Sequence, residues 1–261
     1  MQSPPVSIAI IDMYDGTPNI GMKCIHAVLK KWSEERNIKI QTSVFRVREF
    51  NEIPSENFDL YISSGGPGSP IDSKEENWDK LYTSWLEKMR ATQQAVLLIC
   101  HSFQIACRHF ELGTVSLRKS RQIGILPVHP LTTDSLFNNL QDPFYALESR
   151  QYQITEPNDQ NINKIGAKII ALEKIRPQVP LERAIMAVQF SPKMYGVQFH
   201  PEAAKNELTL FFNDNTVKNS VIDEFGLEKW DQIMNHLDDD LKIDTTFSNF
   251  IPNFLDKAIL G

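Results

Sequence analysis

The chain has 261 residues, 41% hydrophobic and 23% charged, with a formal net charge of −6 that is spread along its length. This composition excludes gross disorder and allows a sizeable core in one domain, and the absence of a basic cluster argues against a nucleic-acid surface. The start, MQSPPVSIAIIDMYDG, lacks the basic residues and long apolar run of a signal peptide; no stretch of about 18 apolar residues offers a membrane span; and three cysteines (Cys24, Cys100, Cys107) without metal-ligand spacing fit free thiols in the cytoplasm.

Val6 to Ile11 is a short apolar, β-branched run and reads as a buried strand. Asn19 to Arg36 carries Ile20, Cys24, Ala27, Val28 and Trp32 at helical spacing. Ile40–Val47 and Phe58–Ser63 are further strands, the second ending in the turn Ser64-Gly65-Gly66-Pro67-Gly68-Ser69. A helix is expected from about Glu75 to Thr92 with Trp78, Leu81, Trp85 and Met89 on its apolar side. Ala95–Ile99 is an almost wholly apolar strand that runs into Cys100 and then a helix, Phe103–Phe110. Strands alternating with helices imply a parallel, doubly wound α/β sheet covered on both faces. After Gly113 short strands follow one another: Gly124–Val128, Tyr145–Ile154, Lys168–Leu172, Ala184–Phe190 and Tyr195–Phe199. They predict an antiparallel extension of the same sheet. From Ala203 the chain reads as helical, and Asn219–Gly261 forms a C-terminal helical extension. The expected division is a catalytic unit over 1–206 with helices over 207–261 packed on the same domain; the alternative use of the tail is a partner surface.

Three elements carry candidate chemistry. Cys100 stands at the carboxyl end of a central strand, just before a helix. In open α/β sheets ligands bind at that edge, and the positive end of a helix favours negative charge on sulfur. An isolated cysteine there is more often a buried packing residue. The second element is Tyr195-Gly196-Val197-Gln198-Phe199-His200-Pro201-Glu202, a strand ending at His200 with a carboxylate two residues on. A histidine used as a base needs a group that fixes its tautomer, and Glu202 can do so. His101 competes for the role of base, but it adjoins Cys100, and neighbouring side chains diverge. The third element is the glycine turn at 64–69, which can expose backbone N–H groups to a ligand. It lacks the Gly-Lys-Ser/Thr ending of a phosphate loop.

In this order, a strand then SGGPGS, a strand then Cys in IC-x-x-x-Q (Ile99–Gln104), and a strand then HPE in GVQFHPE (Gly196–Glu202), the chain resembles the class I (triad) glutamine amidotransferases over roughly Val6 to Asn206. Within that family it looks like free-standing proteins similar to the amidotransferase domain of GMP synthase. The resemblance implies a flavodoxin-like three-layer α/β fold, mostly parallel with an antiparallel extension, and no metal or cofactor. It implies that Cys100 attacks the side-chain amide of glutamine, that His200 moves the proton, and that Glu202 orients His200. The N–H groups of Gly66 and His101 match the family's oxyanion hole, and Gln104, Ser149, Gln151 and Tyr152 match positions around the substrate's amino-acid end.

The chain departs from the family at the turn around the nucleophile. Leu98-Ile99-Cys100-His101-Ser102 replaces Gly-x-Cys-x-Gly, and Phe103 stands where a histidine often sits. Ser102 is small enough for a tight turn; Leu98 is not. The departures leave three expectations: a glutaminase that passes ammonia to a separate synthetase subunit, a γ-glutamyl peptidase or γ-glutamyl-amine hydrolase with the same triad, or a silent module that binds a partner.

Overall fold

A computed structural model describes residues 4–178 and 181–261. Its first half follows the alternating pattern that the periodicity predicts, with one short helix, α2, that it does not, so that the expected strand Ile40–Val47 stops one residue early: β1 (Val6–Asp12), α1 (Gly21–Arg36), β2 (Ile40–Arg46), α2 (Val47–Phe50), β3 (Leu60–Ser63), α3 (Asn77–Ala91), β4 (Val96–Ile99) and α4 (His101–His109). The second half holds β5 (Thr114–Pro130), β6 (Phe144–Thr155), α5 (Asp159–Ile165), β7 (Lys168–Glu173), β8 (Ile185–Ser191) and β9 (Met194–Val197), followed by α6 (Lys205–Asn213), α7 (Asn215–Phe225), α8 (Leu227–Asp238) and α9 (Ile243–Ile259).

Among the described residues the strands form one sheet in the order β2-β1-β3-β4-β9-β8-β7-β5-β6. Pairing is parallel from β2 through β9 and antiparallel from β9 through β6. Side chains of a strand alternate between faces, so Leu97 and Ile99 of β4 join a core with Trp32 of α1 and with Phe250, Ile251 and Phe254 of α9. Val96 and Leu98 turn to the other face and meet Trp78, Tyr82 and Trp85 of α3 and Phe103 of α4. The result is a three-layer α/β fold with helices on both faces of a mostly parallel sheet. A third cluster joins α6 and α8 to β5 and β6 through Leu208, Phe212, Trp230, Ile233, Ile123 and Leu147.

The differences from expectation have physical causes. Leu81, expected on the apolar side of α3, is 46% exposed, and Tyr82 takes the buried place. β5 begins at Thr114 rather than Gly124, because its polar first half is held by cross-strand pairing with β6 from Thr114↔Thr155 to Leu117↔Tyr152, with an irregularity between Leu117 and Gln122. α5, which the apolar periodicity does not announce, is started by the Asn158 side chain accepting from the Asn161 N–H (3.2 Å) and stopped by Gly166 at φ 70°. β9 ends at Val197, three residues before His200. The continuing backbone is held by Gln198 N–H donating to Met186 (2.8 Å) and His200 N–H donating to Leu147 (2.8 Å). No helix of the described residues is long and apolar enough to cross a membrane.

Candidate active site

Cys100 is the residue between β4 and α4, and its backbone lies at φ 48°, ψ −96°. A non-glycine residue there costs about 1–3 kcal/mol, which the surroundings must supply. They do so through the Cys100 N–H, which donates to the Val197 carbonyl (2.7 Å), and the Cys100 carbonyl, which accepts from the Gln104 N–H (2.9 Å). Buried Ser102 pins the turn: its hydroxyl lies 2.6 Å from the Ser64 carbonyl and 2.9 Å from that of Ser63, and it accepts from the Ile99 N–H (3.2 Å). The bulk at Leu98 and Phe103 is absorbed across the sheet by Gly196, which pairs with Leu98. A methyl group on Gly196 would stand 2.6 Å from Phe103 Cδ2 and 2.8 Å from Phe190 Cε2. The missing side chain on β9 is therefore the space that Phe103 fills.

His200 Nδ1 lies 2.8 Å from Oε1 of Glu202, a buried carboxylate whose Oε2 has no partner. The other ring nitrogen is left for the thiol of Cys100, which interacts with the imidazole. Burial pushes the His200 pKa down, but Glu202 and the sulfur outweigh it and raise the value well above the usual 6.5. The ring is seated on the glycine turn, where a methyl group on Gly65 would come within 2.8 Å of its Cε1. His101 is unsuited to be a base. Its side chain is buried against Trp78, and burial with the charges of Arg48 and Arg108 lowers its pKa to about 3.

The glycine turn is anchored by Arg48, which donates to the carbonyls of Met13 (3.0 Å) and Pro67 (2.5 Å). Gly66 tolerates no side chain, since a methyl group would stand 2.2 Å from the Met13 carbonyl oxygen. The backbone of Gly66 borders the same cavity as Cys100, and the His101 N–H belongs to the first turn of α4, where amides have no intrahelical acceptor. Two backbone donors near a strained thiol can stabilise an oxyanion.

The cavity holds about 620 Å³ and contains Cys100, His200, Glu202, Gly66 and Ser149 in its walls. The other expected substrate residues lie elsewhere. Gln151 is exposed on β6 and Tyr152 pairs with Leu117, and neither borders the cavity. Gln104 is also outside it. One turn after Cys100, its buried side chain points back under the thiol and donates to Gln198 Oε1 (3.3 Å); Gln198 in turn donates to Cys100 Sγ (3.6 Å). Three features of the cavity have no motif in the sequence. Tyr14 follows β1, and burial together with Glu202 and Cys100 keeps its phenol protonated. Arg121 arrives from the irregular part of β5, ion-paired to Glu224 of α7 (2.7 Å), with its buried Nε unpartnered. Helix α6 contributes Leu208, Phe211 and Phe212. Only the run Arg118-Lys119-Ser120-Arg121 could have drawn attention to Arg121, and such a run usually marks a solvated edge. No group of three His, Cys, Asp or Glu side chains among the described residues is placed to hold a metal ion.

The three-layer α/β fold, with a cysteine turn at the carboxyl edge of its sheet, recurs in solved structures. A glutamine amidotransferase from Thermotoga maritima shares 13% identity at a TM-score of 0.71, over 99% of this chain and 100% of that one. The glutaminase domain of Trypanosoma brucei CTPS, solved with bound acivicin, shares 13% identity at a TM-score of 0.62, over 96% and 94%. A GMP synthase subunit-like protein from Thermoplasma acidophilum shares 15% identity at 0.53, over 85% and 98%. The family profile described as glutamine amidotransferase class-I matches residues 21–219. The chain belongs to the class I glutamine amidotransferase family. No curated protein sequence matches it.

Proposed function

We propose that the protein is a thiol amidohydrolase that cleaves the γ-amide of glutamine with Cys100 as nucleophile, His200 as base and acid, and Glu202 as the group that orients and charges His200. The observation that carries this is the 2.8 Å His200–Glu202 contact facing a strained Cys100 in one cavity. The sulfur attacks the γ-carbonyl, and the oxyanion is held by the N–H groups of Gly66 and His101. His200, protonated at the nitrogen facing sulfur, gives that proton to the departing nitrogen, so ammonia leaves as the C–N bond breaks and a γ-glutamyl thioester remains. Water, deprotonated by His200, then attacks the thioester; glutamate leaves and the thiol is regenerated. Ser149 lies at the substrate's amino-acid end, and Arg121 places a positive charge within reach of the α-carboxylate.

In this scheme ammonia is released or taken up by a separate synthetase subunit. A cytoplasmic setting fits the three cysteines, all free thiols. A second reading, hydrolysis of larger γ-glutamyl compounds, is favoured by a cavity of about 620 Å³, roomier than glutamine needs. The deciding assay measures glutamate release from glutamine by the parent and by Cys100→Ala. Release lost in the variant supports the mechanism; equal release from both ends it.

A further inference from the structure

The volume of the cavity and the chemistry of its walls go together. Sites that enclose a whole small molecule hold roughly 300–1,000 Å³, and this one, at about 620 Å³, is in that range. The groups that handle a γ-glutamyl unit occupy one part of the wall: Cys100 and Gly66 at the carbonyl, with Ser149 and Arg121 on the β5–β6 side. Much of the remaining wall is hydrocarbon. Phe211 of α6 and Ile20, just before α1, reach its surface, with the buried Leu208, Phe212 and Cys24 packed behind them.

The position of this apolar wall sets its role. α6 begins at Lys205, three residues after Glu202, and its Leu208, Phe211 and Phe212 border the same cavity as the His200–Glu202 pair. The departing nitrogen takes its proton from His200 and leaves from that side. Whatever is bonded to the nitrogen therefore meets α6. An ammonia molecule has nothing to place there. Phe211 is a large aromatic left 37% exposed at this wall, a surface that a bound hydrocarbon group would cover.

Resting on the thiol-hydrolase reading above, we propose that the preferred substrates are γ-glutamyl amides whose amine portion carries an alkyl or aryl group lodged against α6. The reaction keeps its balance. Sulfur bonds to the γ-carbonyl carbon as the C–N bond breaks, His200 supplies the proton that makes the departing nitrogen a neutral primary amine, and water then cleaves the thioester to glutamate and free thiol. No oxidant, metal or second cofactor enters. The apolar wall selects by burying the amine's hydrocarbon, at about fourfold in kcat/KM for each buried methylene.

The test compares glutamine with the γ-glutamyl derivatives of ethylamine, butylamine and phenethylamine, measuring glutamate release by the full chain and by Cys100→Ala and Phe211→Ala. The expected result is a Cys100-dependent rise in kcat/KM along the series, at least tenfold from glutamine to the phenethylamide. Phe211→Ala should reduce the phenethylamide-to-glutamine ratio several-fold, with circular dichroism confirming that it folds. A Cys100-dependent glutaminase whose kcat/KM is flat or falls with amine size overturns this inference and leaves the mechanism standing. Release that survives Cys100→Ala, or release from none of the four compounds, removes both.

Discussion

Glu202→Gln is the sharpest perturbation of the proposed mechanism, because it keeps the shape of the site and removes only charge. In the parent, Oε1 accepts from His200 Nδ1 at 2.8 Å in a buried setting. A hydrogen bond to a charged group is worth about 1.5–3 kcal/mol, so kcat should fall about 10- to 150-fold. The pH profile gives a second, more specific signature. Burial lowers the His200 pKa while Glu202 and the Cys100 sulfur raise it, and the raising effects win. The imidazolium that protonates the departing amine therefore persists above the ordinary range and is lost as pH rises through the raised value. Without the carboxylate charge it should be lost earlier, moving the alkaline limb of kcat/KM to lower pH. The assay is glutamate release from glutamine between pH 5 and about 10, the span in which histidine and perturbed thiols titrate. An alkaline limb that does not move, with kcat within about threefold of the parent, would refute the role given to Glu202.

Three further outcomes are expected. Gly196→Ala should destabilise the protein by about 1–3 kcal/mol through overpacking against Phe103 and Phe190; urea unfolding checks this, and Phe103→Leu should restore part of the loss. Gln198→Leu removes the donor at 3.6 Å from Cys100 Sγ and strands the Gln104 amide; Cys100 alkylation and kcat should each slow by about tenfold, and parental rates in both would discard the interaction. His101, with its pKa lowered to about 3, stays neutral in the fold while the unfolded chain takes up a proton below about pH 6.5. Its contribution to stability is thus complete above that pH and is lost on acidification, by up to about 1.4 kcal/mol per pH unit down to about pH 3. His101→Gln should flatten that part of the stability–pH curve, and an identical slope in the variant would count against the buried neutral imidazole.

Much of the architecture was legible in the chain because its information is local. A short apolar run such as Val96–Ile99 reads, by its length, as a strand buried on both faces, and its direct entry into Cys100 and α4 places the thiol at the sheet's carboxyl edge. The pairing of His200 with Glu202 is local as well, since two residues and a proline separate them. Leu81 shows the limit of such patterns: Leu81 and Tyr82 both suit a helix, and only the position of the sheet decided that Tyr82 would face the core.

The sequence by itself determined the alternating strands and helices of the first half apart from α2, the run of short strands after Gly113, the placing of Cys100 at a strand end and the closeness of His200 to Glu202, all set by residues within a few positions of one another. The tertiary structure alone decided that Gly196 on β9 makes room for Phe103 on α4, that Gln104 turns beneath Cys100 to meet Gln198, and that Tyr14, Arg121 and the apolar face of α6 enclose the cavity. These are contacts between segments far apart in the chain, and their geometry depends on strand order and packing density, which no local pattern of residue types encodes.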